Sequence, residues 1–149
     1  KRAYVTIMIE QKQQEIIEEF AFFEEWMHKY EHIIELGKEM QGLPEDEKKD
    51  ELLVAGCQSK VWLKASLQEN GKVRLDADSD AVITRGLVAL VVSVFNNETP
   101  QDILNANIHF MNDIGLVSNL SQTRSNGLAA MVKQILLYAT VFQAQQKSN

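Results

Sequence analysis

A pair of alternating segments joined by Asn70-Gly71 constrains the fold more than any other feature of the sequence. Apolar and polar side chains alternate in residues 60–68 (KVWLKASLQ) and again in residues 72–78 (KVRLDAD). A period of two places successive side chains on opposite faces of a β-strand, and Asn-Gly is typical of a tight hairpin turn. Two antiparallel strands are therefore predicted, and residues 52–55 are a candidate for a third.

Helical spacing of apolar residues is found on both sides of this hairpin. From Gln11 to about Met40 such residues recur every three or four positions, which predicts one long or two consecutive amphipathic helices. Residues 81–95 predict a core helix, with Asp78 or Ser79 as its N-cap.

Further helices are predicted beyond residue 95. Thr99 and Pro100 are typical of an N-cap and a first helical position, Gly115 is expected to end a short helix, and residues 123–143 predict a long C-terminal helix. This order of elements predicts an α+β fold, in which a small antiparallel sheet of about three strands packs with several helices.

The size of the chain predicts one domain. A chain of 149 residues, 45% of them apolar, buries enough surface for a single core. We assign residues 11–149 to that domain and expect residues 1–10 to be a tail that is disordered or left over from expression. The longest apolar stretch, residues 81–95, contains Arg85 and is shorter than the ~20 residues that cross a bilayer, so no membrane association is expected.

Charge and cysteine content narrow the functional classes. A net charge of −6 repels phosphate backbones, which makes nucleic acid an unexpected partner. The single cysteine cannot form an internal disulfide, and no signal-peptide pattern is present, so a cytoplasmic location is expected.

Two metal-site patterns are present in the sequence, and both are incomplete. His28, His32 and Glu35 share a helix face, but the stretch has the composition of a solvated charged surface and lacks the glutamate of a zinc protease. Asp76, Asp78 and Asp80 alternate as in a calcium loop, although the glycine and the final glutamate of such a loop are missing. One cysteine and three histidines do not supply the ligands of a cluster, so no metal site is predicted.

Cys57 is then the one candidate nucleophile. It lies in VAGCQSKVW, residues 54–62, after a charged connection and before a predicted strand. Such a lone cysteine is either a small buried hydrophobe or a reactive thiol at a loop tip, where Gly56 allows unusual backbone conformations. The residues alone leave both interpretations open.

Five motifs make the chain resemble a known family. They are WMHKYEHIIELGKEM (26–40), GCQSKVW (56–62), ADSDAVITRGLVALV (77–91), TPQDI (99–103) and LSQTRSNGLAAM (120–131). In order and spacing they resemble the SufE proteins, the sulfur acceptors that work with SufS-type cysteine desulfurases in iron–sulfur cluster assembly. One departure is Gln122-Thr123, where the family commonly has Pro-Ser.

The resemblance implies a fold and a mechanism. The fold would be the α+β arrangement that SufE shares with IscU-type scaffold proteins. Cys57 would accept sulfur from the desulfurase as a persulfide and pass it to an iron–sulfur scaffold complex, by a thiol exchange that needs no cofactor in the acceptor. The pyridoxal phosphate would belong to the partner desulfurase.

The resemblance also implies roles for further residues. Gly56, Gln58 and Ser59 would shape the mobile active-site loop, and Trp62 would pack behind it. Asp80 and Arg124 match family positions at the partner-facing surface. Because a cation near a helix N-terminus opposes the helix dipole, we consider two alternatives for Arg124: it pairs with an acidic neighbour or with an acidic group of the partner, or it is simply exposed to solvent.

Alternatives to a sulfur carrier remain open from the sequence. The chain could instead regulate a desulfurase or a scaffold protein without carrying sulfur on Cys57. A stand-alone thiol peroxidase or hydrolase is disfavoured, because no histidine base is evident beside the cysteine. Formation of a homodimer is left open.

Overall fold

The fold is α+β, with one antiparallel hairpin among helices. The computed structural model describes residues 2–148, and side chains from residue 8 to residue 148. The elements in chain order are α1 (Arg2–Ala21), α2 (Trp26–Glu39), two 3-10 turns (Glu45–Glu47 and Asp50–Leu52), β1 (Val61–Leu67), β2 (Val73–Ser79), α3 (Val82–Phe95), α4 (Pro100–Asn105), α5 (Phe110–Asp113), α6 (Leu116–Asn119) and α7 (Gln122–Ser148).

The hairpin confirms the strand prediction in class and place. β1 and β2 pair antiparallel, from Val61 opposite Ser79 to Leu67 opposite Val73, and Gly71 takes a φ of +82° in the turn. The third strand is wrong: Leu53 forms an isolated bridge to Trp62, and Val54 donates to the Val61 carbonyl. Because a 3-10 turn precedes this point, the segment touches the sheet without running along it.

The α1–α2 region confirms two consecutive helices. The helical conformation ends at Ala21 and resumes at Trp26, and Phe22 between the two helices is 86% exposed. Residues 1–10 were expected to be a disordered tail. The backbone of α1 instead begins at Arg2, and Ile9 is fully buried in the core, so this part of the chain belongs to the domain at least from Ile9. Residue 1 and the side chains of residues 2–7 lie outside the described part of the chain.

Helix α3 is the centre of the core, and α2 crosses it backbone to backbone. A Cβ added to Gly86 of α3 would lie 2.0 Å from the Ile33 carbonyl oxygen of α2. Only glycine therefore permits this crossing. Leu87, Val91 and Val94 of α3 are almost fully buried, so the helix carries the apolar floor on which the hairpin rests.

The predicted N-caps have different outcomes. Thr99 Oγ1 accepts a hydrogen bond from the Asp102 N–H, with Pro100 at the first helical position of α4, as predicted. The prediction for α3 is wrong, because Ala81 occupies the N-cap without a side-chain bond. Asp78 lies in β2 and instead accepts hydrogen bonds from the Leu43 and Ser79 N–H groups and from Arg85.

Helix α7 closes the fold. Its buried face packs against α3, α4 and β1, and consists of Leu128, Met131, Ile135 and Ala139. By length and composition α7 is also the one described helix that could cross a membrane. A single such helix is weak evidence for a membrane span, and one face of α7 packs onto three elements of the domain.

Candidate functional site

Cys57 lies in the loop that leads into β1. Gly56 before it has a φ of +93°, a conformation that favours glycine. The loop rests against α7, since a Cβ at position 56 would lie 3.2 Å from the Ala130 Cβ. Gly56 and Gln58 are exposed while Cys57 between them is half-buried, so the loop turns its thiol inward.

The thiol contacts the first turns of α7. Cys57 Sγ lies 3.6 Å from the Gly127 carbonyl oxygen, to which it donates a weak hydrogen bond. A side chain at position 127 would begin 3.6 Å from this sulfur, so glycine leaves the space around Sγ open. Burial raises the pKa of the Cys57 thiol, which keeps it protonated at rest.

The thiol opens onto a cavity of about 330 Å³ between the loop, α3 and α7. Its floor is apolar and is formed by Val61, Leu87, Val88, Leu128 and Met131. Its rim is polar and is formed by Gln58, Ser59, Thr84, Ser121, Thr123 and Arg124. The structure thus brings four predicted residues, Cys57, Gln58, Ser59 and Arg124, to one site.

Arg124 departs from its predicted pairing. Its Nη1 donates to the hydroxyl of Tyr30 at 2.7 Å, and no carboxylate within the described residues pairs with it. The acidic neighbour is therefore corrected to a tyrosine, while pairing with an acidic group of a partner stays a prediction. Because Tyr30 lies 94 residues away in sequence, no local signal could have identified it.

Asp80 lies beside the loop and outside the cavity lining. Its Oδ1 accepts from the Lys60 N–H at 3.0 Å, and its own N–H donates to the Lys60 carbonyl. Asp80 therefore fastens the end of the cysteine loop, while its exposed carboxylate remains accessible. Trp62 is buried under the Lys48 ammonium group, in agreement with the packing role.

Two histidines have their partners away from the cysteine loop. His32 packs against Phe20 and Phe23 and contacts Glu19, and His109 lies between Glu10 and Asp113. Within residues 8–148 no cluster of three such groups is placed to hold a metal ion. Neither a histidine nor a carboxylate is found among the described residues that line the cavity.

Comparisons with known proteins agree with this architecture. The family described as "SufE: Fe-S metabolism associated domain" matches residues 14–139. An uncharacterized SufE-like protein of Rhizobium etli is 42% identical over 126 residues, which cover 81% of this chain and 84% of the relative.

A solved structure shares the fold. The solution structure of a hypothetical protein from Thermus thermophilus matches with a TM-score of 0.72 at 19% identity, over 89% of this chain and 96% of the other. At that identity the likeness concerns the fold alone. The extent of the family match, together with the 42% identical relative, shows that the chain belongs to the SufE family, which has a role in iron–sulfur metabolism.

Proposed function

We propose that this protein is a sulfur acceptor and carrier. It takes persulfide sulfur from a SufS-type cysteine desulfurase onto Cys57, stimulates that enzyme, and passes the sulfur to an iron–sulfur scaffold complex. The observation that carries the proposal is the placement of the single thiol of a SufE-family chain at a loop tip, facing a cavity with room for an added sulfur.

The transfer is a thiol exchange in which atoms and electrons balance. The Cys57 sulfur attacks the terminal sulfur of the partner's cysteine persulfide, a new S–S bond forms on Cys57, and the old S–S bond breaks. The partner cysteine leaves as a thiolate and takes the proton that Cys57 loses. No outside oxidant or reductant is needed, and the proton has an acceptor in the partner.

The electrostatics of the resting site agree with an acceptor whose thiol stays protonated until the partner binds. Burial raises the pKa of Cys57, and only a thiolate attacks sulfur efficiently. The thiol therefore reacts slowly while it faces α7. Binding to the desulfurase would turn the loop outward and expose Cys57 to the persulfide, with Gly56, Gln58 and Ser59 as the moving segment.

A sulfur carrier of this kind depends on the cofactor of its partner. The chain acts as an accessory protein, and the pyridoxal phosphate that releases sulfur from free cysteine belongs to the desulfurase. Asp80 and Arg124 would lie at the surface that meets this partner. The cytoplasm, where the thiol stays reduced, is the expected compartment.

Substitution of Cys57 tests the proposal against its alternative, a non-covalent regulator. Cys57→Ser keeps the size of the side chain but removes the sulfur nucleophile. We expect desulfurase turnover, followed as alanine release, to lose its stimulation by the protein, whereas binding to the desulfurase persists. Full stimulation by Cys57→Ser would contradict the carrier role and favour the regulator.

A further inference from the structure

We propose that Arg124 stabilises the negative charge of a persulfide held on Cys57, and that Tyr30 is the positioning residue that holds the Arg124 guanidinium at the cavity. The inference rests on the proposed carrier function and adds to it a group in this chain that distinguishes the loaded from the unloaded cysteine. It concerns the sulfur carried on Cys57 once the partner, which Arg124 would also face, has dissociated.

The charge content of the cavity singles out Arg124. Among the described residues that line it, Arg124 is the one with a formal charge, and Cys57 is the one thiol. The elements packed around the cavity add no competing charge to its lining: α3 contributes Thr84, Leu87 and Val88. Arg85 on the same helix is bound to Asp78 instead.

Neighbouring charged groups lie outside the cavity lining. Asp80 accepts the Lys60 N–H at the end of the loop, and Lys29 donates to the Ile114 carbonyl. Arg124 donates one guanidinium N–H to Tyr30, and its other side-chain N–H groups have no protein acceptor within the described residues. They are available to an anion that enters the cavity.

Tyr30 fixes where this guanidinium can be. Its hydroxyl oxygen accepts from Arg124 Nη1 at 2.7 Å, and its ring packs against Trp26 at 5.8 Å between centroids. Trp26 in turn lies beside the α5–α6 turn, since a Cβ added to Gly115 would lie 3.9 Å from its ring. An arginine side chain loses considerable rotamer entropy when it is held in one position. Because Tyr30 already holds Arg124 in the unloaded protein, this entropy is lost before the sulfur is transferred and does not weaken the binding of the anion.

The chemistry of the two sulfur species explains why the cation matters only after transfer. A resting thiol is neutral and needs no counter-charge, and burial is the cause that raises the pKa of Cys57. A persulfide is a stronger acid than a thiol, so it carries a negative charge at neutral pH. An anion over an apolar floor is stabilised by a hydrogen-bonded cation, and exposed Arg124 at the rim lines the same cavity that has room for the added sulfur.

The test compares the acidity of the persulfide and of the thiol. Each protein is loaded with sulfane sulfur from inorganic polysulfide, and alkylation by iodoacetamide is followed by intact mass between pH 5 and 9. In Arg124→Gln we expect the persulfide to react about tenfold more slowly at the acidic end, which corresponds to a pKa raised by about one unit. The unloaded thiol should change less than about twofold.

Matched variants separate the charge of Arg124 from its positioning by Tyr30. Tyr30→Phe removes only the hydroxyl and should slow the persulfide about threefold, while Arg124→Lys should restore most of the wild-type rate. Arg74→Gln and Tyr138→Phe, which lie outside the cavity lining, should leave both rates unchanged. Equal persulfide acidity in wild type and Arg124→Gln would overturn the inference, as would equal effects on thiol and persulfide.

Loading with polysulfide separates the anion site from the carrier function. Polysulfide loads Cys57 without any desulfurase, so the acidity measurement does not require the partner. If the desulfurase transfers no sulfur to Cys57 but the loaded protein shows the Arg124 effect, the proposed carrier function is lost and the anion site stands. If transfer occurs without the Arg124 effect, the carrier stands and the anion site is rejected.

Discussion

At the scale of single residues, two glycines border the Cys57 thiol. Gly56 takes a left-handed φ that lets the loop approach α7, and Gly127 leaves the space around Sγ unoccupied. The Gly127 carbonyl contacts Sγ, and a Cβ at position 127 would lie at an ordinary contact distance of 3.6 Å from this sulfur. The partial burial of the thiol therefore follows from the backbone conformation of the loop.

Replacing Gly56 by alanine should release the thiol. The Cβ would strain the backbone and press on Ala130 at 3.2 Å, so we expect a loss of about 1 kcal/mol in unfolding free energy. Moving the loop away from α7 would also relieve the burial that raises the pKa of Cys57. Alkylation of Cys57 at neutral pH should then be several-fold faster than in wild type.

Gly71→Ala is the matched control for this prediction. Gly71 also has a positive φ, +82°, but it lies in the hairpin turn, away from the cysteine loop. It should lose similar stability while the alkylation rate of Cys57 stays at the wild-type value. A faster rate in both variants would mean that a general loss of stability exposes the thiol. An unchanged rate in Gly56→Ala would show that the Gly56 conformation does not hold the thiol against α7.

At the scale of elements, polar contacts fasten the N-terminal helix to the domain. Lys12 Nζ lies 2.6 Å from Glu98 Oε2 and donates to the Asn96 carbonyl. Gln13 is buried, and it bridges α1 to the start of α5 through the N–H groups of His109 and Phe110. These contacts lie just before residue 14, where the family match begins.

Lys12→Met should weaken the fold measurably. Methionine keeps an apolar stem but leaves Glu98, whose side chain is 6% exposed, without its cation. Removing one partner of a fully buried pair costs about 3–5 kcal/mol, and the partial exposure of Lys12 reduces this to about 2 kcal/mol. The measurement is urea unfolding followed by circular dichroism.

Lys38→Met provides the comparison. Lys38 forms an exposed pair with Glu35 on α2, and exposed pairs contribute less than about 1 kcal/mol. Its unfolding free energy should stay close to that of wild type. Equal losses in the two variants would show that the Lys12–Glu98 pair has no special place in holding α1.

At the scale of the whole molecule, stability should depend on pH through His109. Its Nδ1 lies 2.5 Å from Asp113 and its Nε2 2.7 Å from Glu10. Hydrogen bonds to Asp113 and to Glu10 raise the pKa of His109. The raised pKa means that the stabilisation is complete below the usual value near 6.5 and is lost as the pH rises through the value in the folded protein.

The comparison of wild type with His109→Gln measures this effect. Because glutamine has no titrating proton, the difference in unfolding free energy should be largest near pH 5.5 and should shrink above neutrality. We expect a change of about 1 kcal/mol or less, since the pairs are partly exposed. A difference that stays constant with pH would contradict a charged His109.

The features predicted from the sequence are those that rest on local patterns. The hairpin followed from alternation and Asn70-Gly71, and the Thr99 cap from its side-chain oxygen before Pro100. The prediction of a third strand was wrong because a 3-10 turn at Asp50–Leu52 limits the bridge to Leu53. The sequence pattern over residues 52–55 does not show this turn. Class and order of elements were therefore predictable, whereas the extent of sheet pairing was not.

The features missed are contacts between distant residues. Arg85 looked like an interruption of an apolar helix, yet its guanidinium binds Asp78 and the Gly37 and Met40 carbonyls. Burial raises the pKa of Asp78, but hydrogen bonds from Leu43, Arg85 and Ser79 outweigh it and lower the pKa below its usual value. Periodicity shows that a residue is buried or polar but not which partner it meets, as for Tyr30 and Arg124.

Intact mass spectrometry after incubation with a SufS-type desulfurase and free cysteine shows whether Cys57 carries sulfur. We expect a gain of about one sulfur atom, ~32 Da, that maps to the peptide containing Cys57, disappears on reduction and is absent in Cys57→Ser. No gain in mass, although the desulfurase turns over and binds the protein, would rule out a sulfur carrier.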